Sequence, residues 1–153
     1  GRQAYVLTEL HLTVAGYDRN PESGLLGAAK QEVSCLPANS NSEGMSCSEI
    51  RVHPSGKFLY AANRDVKGER RDSISVFKVL EDGQIERIQT VAAKVEIPRN
   101  IGVDPEGRWL LVAGQKSGNV PVFQIRIDGT LKETDNEVTV ANAMCVEFLK
   151  TGE

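Results

Sequence analysis

Three residues of different chemistry stand at matching places in this chain. Glu9, Arg64 and Gln115 lie 55 and 51 residues apart. Each follows an apolar run: Tyr5-Val6-Leu7, Phe58-Leu59-Tyr60 and Leu110-Leu111-Val112. A second matched set is Ser48-Glu49, Arg99-Asn100 and Met144-Cys145. If the chain brings the first set and Arg99 of the second to one mouth, a carboxylate, an amide and two guanidinium groups share it. Two arginines suit an anionic ligand, because the planar fork matches phosphate and carboxylate. A single Arg or Glu at a strand end is ordinarily solvated or in a surface pair worth little. The shared register of Glu9 and Arg64 lifts that pair above this default.

The register comes from an internal repeat. Val52-His53-Pro54-Ser55-Gly56-Lys57-Phe58-Leu59-Tyr60 recurs as Val103-Asp104-Pro105-Glu106-Gly107-Arg108-Trp109-Leu110-Leu111, offset by 51. Val76-Phe77 and Asp82-Gly83 recur as Val122-Phe123 and Asp128-Gly129, offset by 46. The five extra residues of the first copy fall around Val66 to Arg71, a charged stretch expected to be a solvated loop. Gly1 to Tyr5 matches Gly56 to Tyr60, and Val146-Glu147-Phe148 matches Ile50-Arg51-Val52. A period of about 50 residues is that of a four-stranded propeller blade.

The local patterns agree. Short runs rich in β-branched and aromatic residues alternate with turn signals. Pro54-Ser55-Gly56 and Pro105-Glu106-Gly107 read as tight turns, and Asp82-Gly83 and Asp128-Gly129 as two-residue hairpins. Strands are expected near 3–8, 12–18, 25–34, 48–53, 57–62, 73–79, 84–92, 100–104, 108–113, 119–125, 131–140 and 144–149. The expected fold is all-β: part of a seven-bladed β-propeller, about three four-stranded antiparallel blades. Residues 1–40 form a blade lacking its first strand, 41–95 and 96–141 full blades, and 142–153 the first strand of a further blade. The exposed blade faces call for a partner, either remaining blades on another chain or self-association.

Other candidates carry less. His53 sits in a Pro-Gly turn whose counterpart is Asp104, so turn capping is its expected role. His11, Lys116 and Ser117 read as loop residues. No nucleophile elbow, Walker loop, Rossmann fingerprint or metal-ligand spacing is present, and neither metal nor cofactor is expected. Cys35, Cys47 and Cys145 are an odd, widely spaced set that suits half-buried thiols in a reducing cytoplasm. A net charge of −3 argues against a nucleic-acid surface. No apolar run reaches the roughly 18 residues of a membrane span. The opening residues have no signal-peptide pattern, and the chain reads as a piece of a larger ring.

Glu49-Ile50-Arg51-Val52-His53-Pro54-Ser55-Gly56-Lys57-Phe58-Leu59-Tyr60-Ala61-Ala62-Asn63-Arg64 resembles the blade signature of the propeller 6-phosphogluconolactonases. So do Pro98 to Arg108 and Ala113-Gly114-Gln115-Lys116-Ser117. That family also contains the fungal carboxy-muconate lactonizing enzymes, and this chain is similar to its C-terminal part. The resemblance implies a lactone hydrolase that opens 6-phosphoglucono-δ-lactone with water to 6-phosphogluconate, in the pentose phosphate pathway. It implies Glu9 and Arg64 as catalytic residues, and Arg99, Asn100 and Gln115 as binders of a small anionic lactone. The family's site also uses a His and another Arg that this chain does not contain, so the fragment alone is expected to be inactive. The alternatives are a muconate cycloisomerase and a non-catalytic binding scaffold. The scaffold reading requires rim residues paired only with one another and no open pocket.

Overall fold

The computed structural model describes residues 1–149, and every described element is a strand. There are eleven: β1 (Gln3–Thr8), β2 (Thr13–Arg19), β3 (Leu26–Ser34), β4 (Met45–Val52), β5 (Phe58–Asp65), β6 (Ser73–Val79), β7 (Ile85–Ala92), β8 (Pro98–Val103), β9 (Trp109–Gly114), β10 (Asn119–Ile125) and β11 (Leu131–Thr139). They form three antiparallel meanders: β1-β2-β3, β4-β5-β6-β7 and β8-β9-β10-β11. Each sheet is a propeller blade, and the sheets stack face to face.

The strand sequences follow from this stacking. Side chains alternate across a strand, so a strand between two other blades must be apolar on both faces. β5 and β6 meet that demand. Leu59, Ala61 and Phe77 turn toward the first sheet and join Leu12, Val14 and Leu36. Phe58, Tyr60, Ala62, Ile74 and Val76 turn toward the third sheet and join Ile101, Leu110, Val112, Phe123 and Leu131. The outer strands β3 and β11 are mostly exposed and carry Lys, Glu and Asp, which suits an edge that must not pair further.

The turns are built from their sequence. His53 N–H donates to Phe58 O, and Gly56 takes φ 72°, a region open to glycine at little cost. The Asp-Gly hairpins are one residue longer than their dipeptide suggested. Leu80 N–H donates to Gln84 O, so Glu81, Asp82 and Gly83 form a three-residue loop with Gly83 at φ 80°. Asp82 Oδ1 accepts from Gln84 N–H at 2.9 Å, and Asp128 repeats this with Thr130 at 3.0 Å.

One expectation needs correcting. Met144–Leu149 forms no strand among the described residues, because nothing described lies alongside it to complete a ladder. Its one anchor of that kind is Val146 N–H donating to Asn100 Oδ1 at 2.9 Å. Residues 150–153 of the expected further blade lie outside the described residues. The charged loop after β5 is solvated as expected, with residues 66–70 all exposed, and it is anchored at its far end. Arg71 grips the fully buried Asp65 with two nitrogens at 3.0 Å and donates to Asn41 O and Glu43 O. That bidentate pairing holds the Asp65 carboxyl at about 2, well below the usual carboxylate range. Asp72 at the other end of the loop is shifted the opposite way, upward, by burial.

Candidate active site

Two β-bulges prepare the site. In the β4–β5 ladder the register passes from Cys47↔Asn63 to Glu49↔Ala62, leaving Ser48 as the extra residue. In β8–β9 it passes from Pro98↔Gly114 to Asn100↔Ala113, leaving Arg99 as the extra residue. A bulge re-aims the side chain it inserts and twists the strand. Ser48 and Arg99 are thus equivalent in structure as well as in the repeat. Ser48 Oγ donates to Pro98 O at 2.5 Å and stitches the two inner strands together.

Beside these bulges lies an open cleft of about 260 Å³, lined by residues from all three sheets. Glu9, Arg64 and Arg99 all line it, together with Ser48, Glu49 and the apolar Leu7 and Ile50. Glu9 follows β1, and its backbone carbonyl accepts from Cys47 N–H at 2.8 Å, which joins the first sheet to β4. Arg64, the penultimate residue of β5, donates through Nη2 to Glu9 Oε1 at 2.6 Å and to Cys47 O at 2.9 Å. Its side chain is 13% exposed and that of Glu9 64%, so the guanidinium is set into the wall while the carboxylate faces the opening. Arg64 Nε is buried without a partner. Among the described residues Arg99 forms no salt bridge, which leaves it as the cleft's cation without a counter-charge.

The remaining expected site residues are placed differently. Asn100 is buried and spent on protein contacts: Nδ2 donates to Glu49 Oε2, and Oδ1 accepts from Val146 N–H. Gln115 sits in the turn after β9, with its backbone N–H on Ile97 O at 3.0 Å, and does not line the cleft. His11 borders a separate, larger groove. His53 caps its turn, as expected: Nδ1 accepts from Ser55 N–H at 3.1 Å, and Nε2 bonds Gly107 O at 2.9 Å in the next blade.

Glu49 stands in the second matched set without an assigned role, and the structure places it in the cleft lining. Its carboxylate is fixed by Asn100, by Ile50 N–H at 2.9 Å and by Arg51 at 3.5 Å. Its match to Asn100 at an offset of 51 marked the position, and the contact between the two side chains gives it a role. Cys35 and Cys47 are fully buried and Cys145 is exposed, so the thiols are not the uniform half-buried set expected. The hydrogen bond with the neighbouring Cys47, and then burial, push the Cys35 thiol up, away from reactivity. Among the described residues no three His, Cys, Asp or Glu side chains converge as a metal site would require.

An all-β stack of propeller blades with a charged cleft between inner strands defines the class of protein. Residues 1–148 match the family described as "Lactonase, 7-bladed beta-propeller", and the chain belongs to that family. The 6-phosphogluconolactonase of Bacillus subtilis (strain 168) is 33% identical over 152 residues, covering 97% of this chain and 41% of that protein. That of Formosa agariphila is 32% identical over 150 residues, covering 97% and 40%. A solved protein from Lactobacillus plantarum superimposes with a TM-score of 0.87 at 26% identity, covering 98% of this chain and 42% of that one. The periplasmic gluconolactonase of Pseudomonas aeruginosa gives a TM-score of 0.81 at 27% identity, covering 94% and 38%. The chain thus spans about two fifths of the length of the relatives it matches.

Proposed function

We propose that this chain supplies one side of a lactone hydrolase site that opens 6-phosphoglucono-δ-lactone with water. The observation that carries the reading is the convergence in one open cleft of the Glu9–Arg64 pair and Arg99, which forms no salt bridge among the described residues. A pure binding scaffold would have its rim charges paired off and no space beside them.

In this reading the substrate's phosphate lies on Arg99. The carbonyl oxygen turns toward the Arg64 N–H groups not engaged by Glu9 and Cys47. Glu9, exposed to solvent and held by Arg64, positions a water. The water oxygen bonds to the carbonyl carbon while Glu9 takes its proton. Negative charge collects on the carbonyl oxygen, where a guanidinium contact contributes about 3 kcal/mol. The ring carbon–oxygen bond then breaks, and the proton passes from Glu9 to the released ring oxygen, giving 6-phosphogluconate. Asn100 acts through Glu49, whose carboxylate it orients at the cleft wall. Gln115 takes no part. These steps use side chains alone. The other side of the site comes from the rest of the ring, so this fragment by itself is inactive. The unpaired thiols favour a reducing compartment such as the cytoplasm.

Steady-state kinetics of Glu9→Gln and Arg64→Ala, in the protein with its full complement of blades, test the assignment. Glu9→Gln is expected to lower kcat by about 10²–10⁴, and Arg64→Ala to lower kcat/KM by about 10²–10³. Near-normal rates in both variants would reject it.

A further inference from the structure

The two seams between sheets share one latch and differ beside it. Tyr5 in β1 donates its hydroxyl to Gly83 O at 2.9 Å, and the equivalent Tyr60 in β5 donates to Gly129 O at 3.1 Å. Gln31 in β3 grips the backbone of Ile85, donating to its O at 2.8 Å and accepting from its N–H at 2.7 Å. Gln89 in β7 grips Leu131 in the same two ways, at 3.0 and 2.7 Å.

Two residues beyond each gripped backbone the chemistry changes. Arg87 stands opposite Phe77, and Glu133 opposite the matching Phe123. At the second seam the charges close on one another. Lys94, in the connector 93–97, meets Glu133 at 2.9 Å, and Glu96 meets Lys116 at 2.8 Å. At the first seam they do not. The connector 35–44 is twice as long and contains neither Lys nor Arg. Its one carboxylate, Glu43, is turned onto Lys67 at 2.6 Å. Among the described residues the half-buried Arg87 forms no salt bridge.

Arg87 is held by one nitrogen only. Nη1 donates to Ser34 O at 2.7 Å and to Leu36 O. Nε and Nη2 make no hydrogen bond among the described residues, and neither is buried. Those two nitrogens form an edge of the guanidinium that takes a carboxylate in a fork. Arg87 lines a groove of about 850 Å³ along this seam, which shares no lining residue with the cleft of Glu9, Arg64 and Arg99. Leu12, Val33, Leu36, Leu80 and Ile85 make its walls largely apolar. Charges drawn back from water are ordinarily paired. An anion in the groove would do for Arg87 what Lys94 does for Glu133. Glu86 borders the groove one residue away, so a second negative charge on the ligand would be repelled.

We propose that the groove at the first seam binds a small monocarboxylate with an apolar body. The carboxylate lies on the Nε–Nη2 edge of Arg87, and the body covers the apolar walls.

Calorimetric titration with octanoate, in the protein with its full complement of blades, tests this. One octanoate is expected to bind per chain. Acetate, which lacks the body, and 1-octanol, which lacks the charge, are each expected to bind at least roughly tenfold more weakly. Arg87→Gln, whose amide still donates to a carbonyl, is expected to weaken octanoate at least roughly tenfold. Ala38 lies exposed on the connector and lines the groove. Ala38→Glu is expected to weaken octanoate several-fold, and Ala38→Lys to leave it as tight or tighter. If Arg87→Gln disturbs folding by circular dichroism, the two Ala38 variants decide. The proposal is overturned if octanoate does not saturate, if acetate or 1-octanol binds as tightly, or if a folded Arg87→Gln binds like the parent. It is also overturned if the two Ala38 variants bind alike, or if Arg99→Ala abolishes binding, which would put the ligand in the cleft.

Discussion

The seam and the mouth of this molecule are built from the same repeat under opposite rules. At the seam, position-matched residues keep their chemistry: Tyr5 and Tyr60, Gln31 and Gln89, Gly83 and Gly129. At the mouth they change it: Glu9, Arg64 and Gln115 at the strand ends, Ser48 and Arg99 at the bulges. Stacking poses one geometric problem at every blade boundary, so one solution recurs. In the proposed reading the cleft instead needs different groups around a single ligand, and identical charges there would repel. Shared packing and divergent chemistry can therefore be told apart inside one chain.

If this division is right, seam substitutions lower stability and leave mouth geometry alone, while mouth substitutions do the reverse. The largest seam effect is expected for Gln89→Ala, which leaves both Leu131 backbone groups without a partner and costs about 2 kcal/mol in urea unfolding. Tyr60→Phe follows at about 1.5 kcal/mol, because Tyr60 is fully buried and its removal orphans Gly129 O. Tyr5→Phe is smaller, below about 1 kcal/mol, since that hydroxyl is only part-buried and water can replace it. Equal losses at Tyr5 and Tyr60 would break the link between burial and latch strength.

Acid sharpens the comparison at the loop beside the mouth. Asp65 titrates at about 2 in the folded chain, below its unfolded value of roughly 3.9. A depressed carboxylate contributes stability that is present above the unfolded value and lost as pH falls toward the folded one. The advantage of the parent over Arg71→Ala is expected to be constant above about pH 5. It then shrinks between about pH 4 and 2 and disappears below that. A difference that persists at pH 1.5 would mean that Arg71 acts through packing and its bonds to Asn41 O and Glu43 O, not through charge.

Much of this was legible in the residues. The repeat offsets predicted propeller blades, the turn positions of His53 and Asp104, and the meeting of Glu9 with Arg64 across 55 residues. The fate of Asn100 was not legible. It depends on a bulge at the preceding residue, and one inserted residue sends neighbouring side chains to different surroundings without any mark in the composition. Gln115 matched by count, yet the β9 end turns back onto Ile97 rather than toward the cleft. The Met144–Leu149 pattern was strand-like, but a strand is a relation between neighbours and none is described beside it.

Arg99 tests the account most directly, since it forms no salt bridge among the described residues and, in the proposed reading, holds the substrate's phosphate. The measurement is kcat/KM for 6-phosphoglucono-δ-lactone and for the unphosphorylated lactone, before and after Arg99→Ala, in the protein with all its blades. The account predicts a fall of at least roughly tenfold for the phosphorylated substrate and little change for the other, consistent with loss of one charge-assisted contact. Equal falls for both substrates, or no fall for either, would contradict it.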